Sequence, residues 1–345
     1  MSFSVFIDTN IIYNDYFFKS ANLKKLLKLS KVGLINLYIT KFNYNEIIKK
    51  YTENIRIPLK QIRNTKHDLT KLGLDNIANF DNLKVRNHVD AYIDILGDII
   101  SNHNMQIVDY PVGSSTIQKI SDKYFNNKKP FDENKVSFQD AIIWESIVEF
   151  YSNESPDVII FISNNYKDFA DNTKTSIHEA LAADIPDIKY YQNLDTFFDN
   201  EIDNITDYFT DNPIIEEEEI LESLEFHLDN SDQLIVSISD MLMNSEFDGE
   251  YFSGWGTDPY IESTNIEIFE VTLDVEENSL LLDFSVELEV SFDIEMVDPT
   301  YENGDSGNGM VYEHSSTDIL IHSNITYDLV EEKFVDYIEL DRGFN

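Results

Sequence analysis

The chain has 345 residues, 42% of them apolar, no cysteine, and a formal charge of −40. That length suits two domains rather than one, and the missing cysteines exclude a disulfide framework and a thiolate zinc site. No run of 18 apolar residues occurs and the start, Met1-Ser2-Phe3-Ser4, lacks the basic region of a secretory signal, so a cytoplasmic protein that touches no membrane is expected.

The first element is a short apolar run, Val5-Phe6-Ile7, ending abruptly in Asp8-Thr9-Asn10. Three consecutive apolar residues read as a strand buried on both faces, hence a strand of a parallel sheet. Asp8 then sits at the strand's carboxyl end, where ligands bind in open α/β sheets when strand order reverses. Thr9 and Asn10 suit the start of a helix. Residues 11–31 read as helices, ended by Gly33, and Leu37–Thr40 as a second strand. Thr40 can cap a helix through Phe42, Ile47 and Tyr51, with Glu46 in its first two turns. Pro58 should break that helix and open a new one. Residues 16–72 hold 13 Lys/Arg against three acids, a local +10.

Residues 82–103 and 115–126 read as helices, 105–110 as an extended segment, and 127–136 as a polar, exposed loop. Ser137 can cap a helix that is apolar on most sides, which marks it as buried. Asp140 in its first turn is then an acid entering the interior, and it needs a cation there. Val158–Ile162 is a second fully buried strand, again ending in polar residues, Ser163-Asn164-Asn165, before Lys167-Asp168-Phe169. A short strand over 188–191 and a short helix over 193–198 close the first half.

The charge then steps sharply. Residues 199–345 carry 40 acids and two bases, whereas residues 1–198 are nearly balanced. Such a step argues for two units, 1–199 and 200–345, with different jobs. The second unit opens with helical patterns at 214–221 and 234–243. Leu280, Leu282, Phe284, Val286, Leu288, Val290, Phe292, Ile294 and Met296 alternate with Asp283, Glu287, Glu289, Asp293 and Glu295, so a long half-buried strand with an acidic outer side is expected. Ile266–Leu273 should be its neighbour across a turn at Glu277-Asn278. Residues 310–312, 318–327 and 334–340 add strands, and 304–309 a glycine-rich loop. This is an α+β unit with an antiparallel sheet.

Strands alternating with helices in the first half give a parallel sheet flanked by helices. Acids recur where strands exit or helices begin: Asp8, Glu46, Asp140 and Asp168. With Phe6–Asn10, Gln139–Ile143, Phe161–Asn165 and Lys167–Phe169, this constellation resembles the PIN nuclease family over about the first 195 residues, in particular its larger bacterial branch with an inserted helical region. The resemblance implies a metal-dependent nuclease, usually of RNA. It implies Asp8, Glu46 and Asp140 as ligands of Mg²⁺ or Mn²⁺ and as catalytic acids, Asp168 as the fourth acid, and Asn10, Ser163 and Asn165 as supports. It also implies pairing into a homodimer. Many members carry an acid where Asn165 stands. Hard divalent cations prefer such oxygen donors and can activate a water for attack on phosphorus. Lys24, Lys25, Lys28, Lys49, Lys50, Arg56, Lys60, Arg63 and Lys66 could track the phosphates of a nucleic acid. The alternative is a catalytically weak binding or regulatory protein. Its acidic half would engage a basic partner, or mimic nucleic acid and dock on the basic 16–72 region.

Overall fold

The computed structural model describes residues 3–13, 15–74, 84–133, 136–211, 215, 217–229, 232–275, 277, 279–301 and 309–335. They fall into two compact units, 1–209 and 210–345. The first contains β1 (Phe3–Ile7), α1 (Thr9–Ile12), α2 (Ala21–Lys31), β2 (Asn36–Thr40), α3 (Lys41–Lys71), α4 (Val85–Asn102), β3 (Gln106–Val108), α5 (Thr116–Phe125), α6 (Phe138–Glu154), β4 (Val158–Ile162), α7 (Tyr166–Phe169), α8 (Glu179–Ala182), β5 (Lys189–Tyr191) and α9 (Leu194–Asp211).

All five strands of this unit are parallel, in the order β3-β2-β1-β4-β5. The chain leaves β1 toward β2 on one side and reaches β4 on the other. Strand order therefore reverses between β1 and β4, and the carboxyl ends of these neighbours open a crevice. β1 is buried along its whole length, and β4 along all but its first residue. Against the sheet lies α6, whose Trp144 and Ile147 are fully buried together with Phe161 and Phe169. The one acid of α6 deep in this packing, Glu145, accepts from Lys123 Nζ at 2.6 Å, and Asp184 shares that ammonium at 2.8 Å.

Three expectations need correction. Pro58 does not break the second-strand helix: α3 runs unbroken for 31 residues. Proline there forgoes one backbone bond, and Asn54, whose carbonyl is freed, is exposed, so water can serve it. The 127–136 segment is not wholly exposed, because Phe131 is a core side chain, 1% exposed. The helix placed at 193–198 extends to Asp211, since Glu201, Ile205 and Phe209 keep facing inward. Glu201 is held by Lys189 Nζ at 2.8 Å and by the Tyr191 hydroxyl. The units thus meet inside α9, beyond the charge step.

The second unit comprises α10 (Glu217–Asp229), α11 (Asp232–Met243), β6 (Glu246–Asp248), β7 (Ser253–Asp274), β8 (Ser279–Val297), β9 (Met310–Asp328) and β10 (Lys333–Phe334). Its sheet is antiparallel, in the order β10-β9-β8-β7-β6. The expected alternation of β8 is present, with Leu280 through Met296 buried at every second position and Leu281 exposed on the other face. Buried Leu234, Ile238 and Leu242 mark the inner stripe of α11, which packs on β7. Gly256 permits that approach, because a Cβ there would lie 2.8 Å from Leu242 Cβ. β9 is one continuous strand, joining the 310–312 and 318–327 segments, because the polar stretch between them pairs with β8 from Ile294↔Glu313 to Val290↔Thr317. Asn278, residues 304–308 and 336–340, assigned above to a turn, a loop and a strand, lie outside the described residues. Among the described residues no helix is long and apolar enough to cross a membrane.

Neighbouring leucines test the face assignment of β8. Leu282→Ala should cost about 2–5 kcal/mol in chemical denaturation, as core truncations do. Leu281→Ala, on the open face, should stay within about 0.5 kcal/mol.

Candidate active site

Asp8 follows the last residue of β1, and its backbone N–H continues the sheet by donating to Ile162 O at 2.9 Å. Its carboxylate is 3% exposed, yet four donors converge on it. Oδ1 accepts from Thr9 N at 2.7 Å and Asn43 Nδ2 at 2.9 Å. Oδ2 accepts from Ser163 Oγ at 2.6 Å and Asn10 Nδ2 at 2.5 Å. The Thr9 contact makes Asp8 the cap of α1. Burial nonetheless raises its pKa to about 6. The bonds from Ser163, Thr9 and Asn43 pull it down, and the charge of Glu46 pushes it up.

Ser163 and Asn10, named above as supports, both donate to Asp8 and are linked to each other at 3.2 Å. Asn43 is a support that the sequence reading missed. It lies in the first turn of α3 and shares a capping box with Thr40, while its amide reaches Asp8 and the Thr9 hydroxyl. The Thr-x-x-Asn spacing at 40–43 was the available signal. Thr9 in turn donates to Glu46 Oε2 at 3.0 Å, and the half-buried Tyr13 hydroxyl is hydrogen-bonded to the same carboxylate. Burial and the negative charge of Glu46 push the Tyr13 phenol pKa upward.

Asp140 is half-buried in the first turn of α6. Asn165 Nδ2 donates to Asp140 Oδ1 at 2.9 Å and to Asp168 Oδ2 at 2.6 Å. Asp168 is fully buried beneath this bridge. Ser137 precedes α6, but its hydroxyl does not cap the helix.

Asp8, Glu46 and Asp140 line one cavity of about 420 Å³, with Asn10, Tyr13, Ser137, Asn164 and Asn165 among the other walls. Asp168 is not on that wall, and neither is any of the nine basic residues proposed for phosphate contact. Those bases lie along α2 and α3 and are mostly exposed. Lys50 comes nearest in contact terms, with Nζ 5.9 Å from the ring of the cavity residue Tyr13. Lys25 instead covers Phe198 at 4.5 Å.

The donor set on the cavity wall is three carboxylates without imidazole or thiolate, which suits a hard divalent cation. Among the described residues, no group of three or more His, Cys, Asp or Glu side chains is placed so that together it could hold a metal ion. Mg²⁺ does not require one, since it keeps several waters and takes one or two carboxylates together with substrate phosphate.

Residues 5–169 match the family model of the PIN domain. No curated protein and no solved structure matches the chain. The match begins in β1 and ends with α7, so it includes all four acids.

The raised pKa fixes a sign. Below about pH 4, Asp8 is protonated in both folded and unfolded chains and contributes nothing. Between pH 4 and 6 the folded state keeps a proton that the unfolded state has lost, so stability falls as pH rises. Above pH 6 the full cost, about 3 kcal/mol, is in force. In chelator at pH 7, Asp8→Asn should therefore raise stability by about 1–3 kcal/mol in urea titrations. The gain should vanish near pH 4 and shrink when Mn²⁺ is added to both proteins.

Proposed function

We propose that this chain, whose residues 5–169 are a PIN domain, is a metal-dependent nuclease that hydrolyses phosphodiester bonds, with RNA as the preferred substrate. The observation that carries the reading is the convergence of Asp8, Glu46 and Asp140 on one cavity at the switch point of a parallel sheet. Asp8 is costly to ionise there, chiefly because it is buried and to a smaller degree because Glu46 is charged. Such cost is characteristic of sites shaped for a ligand rather than for stability.

Asp8, Glu46 and Asp140 would hold Mg²⁺ or Mn²⁺. The cation would supply an activated water and offset negative charge on the leaving oxygen. The chain's own contribution is aim. Four donors fix the Asp8 carboxylate, Thr9 and Tyr13 fix Glu46, and Asn165 fixes Asp140. None of these polar groups has to reorganise as charge develops, which is where positioned dipoles contribute most. The exposed bases of α2 and α3 would follow the phosphate backbone beyond the cavity.

A second reading is a binding protein on a degenerate site, with the acidic unit engaging a basic partner. The neutral bridge of Asn165 between two acids favours it.

Incubation of the purified chain with labelled single-stranded RNA and DNA, with Mn²⁺ or with chelator, separates the two. The nuclease reading expects cation-dependent cleavage, faster on RNA, and a loss of at least about 100-fold in Asp8→Asn and Asp140→Asn. Asn43→Ala should lose about 10–100-fold by loosening Asp8. Oligonucleotide binding without cleavage under every condition would leave the second reading.

A further inference from the structure

Beside the cavity stands a group of aromatic rings that the nuclease reading does not use. Phe138, the first residue of α6, lies between Ser137 and Gln139, both cavity walls. Its ring meets Tyr124 at 5.3 Å and a 33° tilt, and Phe131 edge-on at 5.1 Å. Tyr124 also packs against Phe125 and Phe131, at 5.2 and 5.5 Å. Only Phe131 is buried. Phe125 is 78% exposed, Phe138 46% and Tyr124 37%. Val136, another cavity wall, is 60% exposed.

This shelf packs against the buried Phe131, and α5 is tied to α6 by the Lys123–Glu145 pair at 2.6 Å. It is also locally basic within a chain of net −40. Residues 116–131 hold Lys119, Lys123, Lys128 and Lys129 against Asp122 alone. Lys123 is occupied by Glu145 and Asp184, whereas Lys119 and Lys128 stand exposed. Exposed rings flanked by ammonium groups suit a ligand that is flat, apolar on its face and anionic along its edge.

Ser137 adds an independent observation. Its side chain is 4% exposed and lines the cavity, and its Oγ has no hydrogen-bond partner among the described residues. A buried hydroxyl left in that state costs stability. A phosphate oxygen entering the cavity would accept its proton.

We propose that Phe138, Tyr124 and Phe125 form a nucleobase subsite, which stacks an unpaired base of the bound strand while Ser137 donates to the adjoining phosphate. The proposal rests on the nuclease reading and specifies where one base of the substrate goes. Stacking of this kind tolerates any base, because each offers a π face.

The test is fluorescence anisotropy on the full chain with Ca²⁺, an oxygen-seeking cation, in place of Mn²⁺, and with a labelled RNA strand of roughly 12 nucleotides. A second strand of equal length carries abasic sugars throughout. Phe138→Ala and Phe125→Ala should each weaken binding of the base-bearing strand, by about 5- to 30-fold for Phe138. Phe138→Trp should restore it, and the abasic strand should bind all of these variants alike. Ser137→Ala should weaken both strands by about 2- to 10-fold, with thermal stability unchanged or raised. Both phenylalanines are substantially exposed, and an unchanged melting temperature shows that the variants are folded. The subsite is refuted if the native chain binds RNA but neither phenylalanine variant weakens it, or if both strands weaken equally. If the native chain neither binds nor cleaves RNA, the nuclease reading itself fails, and the subsite with it.

Discussion

The N-terminal unit is organised around one carboxylate held in near-complete burial. Asp8 can occupy the end of β1 only because Thr9, Asn10, Asn43 and Ser163 deliver hydrogen bonds to both of its oxygens. These donors come from the chain following β1, the first turn of α3 and the end of β4. Each element is therefore located by its debt to the same charge. An isolated buried carboxylate would cost far more than the fold's net stability. Here neutral dipoles offset most of that cost and leave the rest as a raised pKa. The remainder is what a cation could relieve.

Much of this was legible in the chain. Apolar runs that stop on polar residues give both the parallel sheet and the location of its crevice, because strand ends and helix starts share the same few residues. Asp8, Glu46 and Asp140 do reach one cavity, although 94 residues separate the last two in sequence. Two kinds of information were not legible. The first is which neutral groups complete a site. Asn43 and Tyr13 act through side-chain direction, and a helical pattern reads only faces. The second is depth. Asp168 and Asp140 look alike as acids near helix starts, but one lies under the Asn165 bridge and the other on the cavity wall. Pro58 and Phe131 failed for a related reason, since solvent access and a distant aromatic cluster decided their fates, not local propensity.

The second unit shows how a sheet tolerates a large excess of acids. The acids of β8 lie on the face opposite its leucine and phenylalanine row, whereas Glu313 of β9 pairs with Ile294 and shares the side of that row. Across the ladders, most of them meet neutral partners: Glu267 faces Ser285, Glu287 faces Asn265, and Asp293 faces Thr257 and His314. Ser291 donates to Glu262 at 2.9 Å and Tyr312 to Glu295 at 3.0 Å. Like charges oppose each other at Glu289↔Asp318 and Glu270↔Asp283, where water must carry the screening. The same acids protect a vulnerable feature. β6 pairs with β7 only from Ser253 to Trp255, so among the described residues the outer edge of β7 is mostly open. Glutamates and three register shifts along β7 discourage another strand from adding there.

Under the proposed nuclease reading, a chain of net charge −40 must still admit a polyanion, and where its charges lie bears on how. At physiological salt, exposed charges are screened beyond about 8 Å, so the sum over the chain matters less than what lies along the path to the cavity. Away from the cavity wall the first unit carries exposed bases on α2, on α3 and in the segment holding Lys119 and Lys128. The cavity itself carries the opposite sign, with Asp8, Glu46 and Asp140 on its wall. A phosphate would be drawn toward the rim and repelled from the floor unless a cation lay between. Under the nuclease reading, bases outside an acidic cavity would hold many strands alike, while close approach of a phosphate to the carboxylates would wait on a cation. In that reading the carboxylates would govern chemistry rather than affinity.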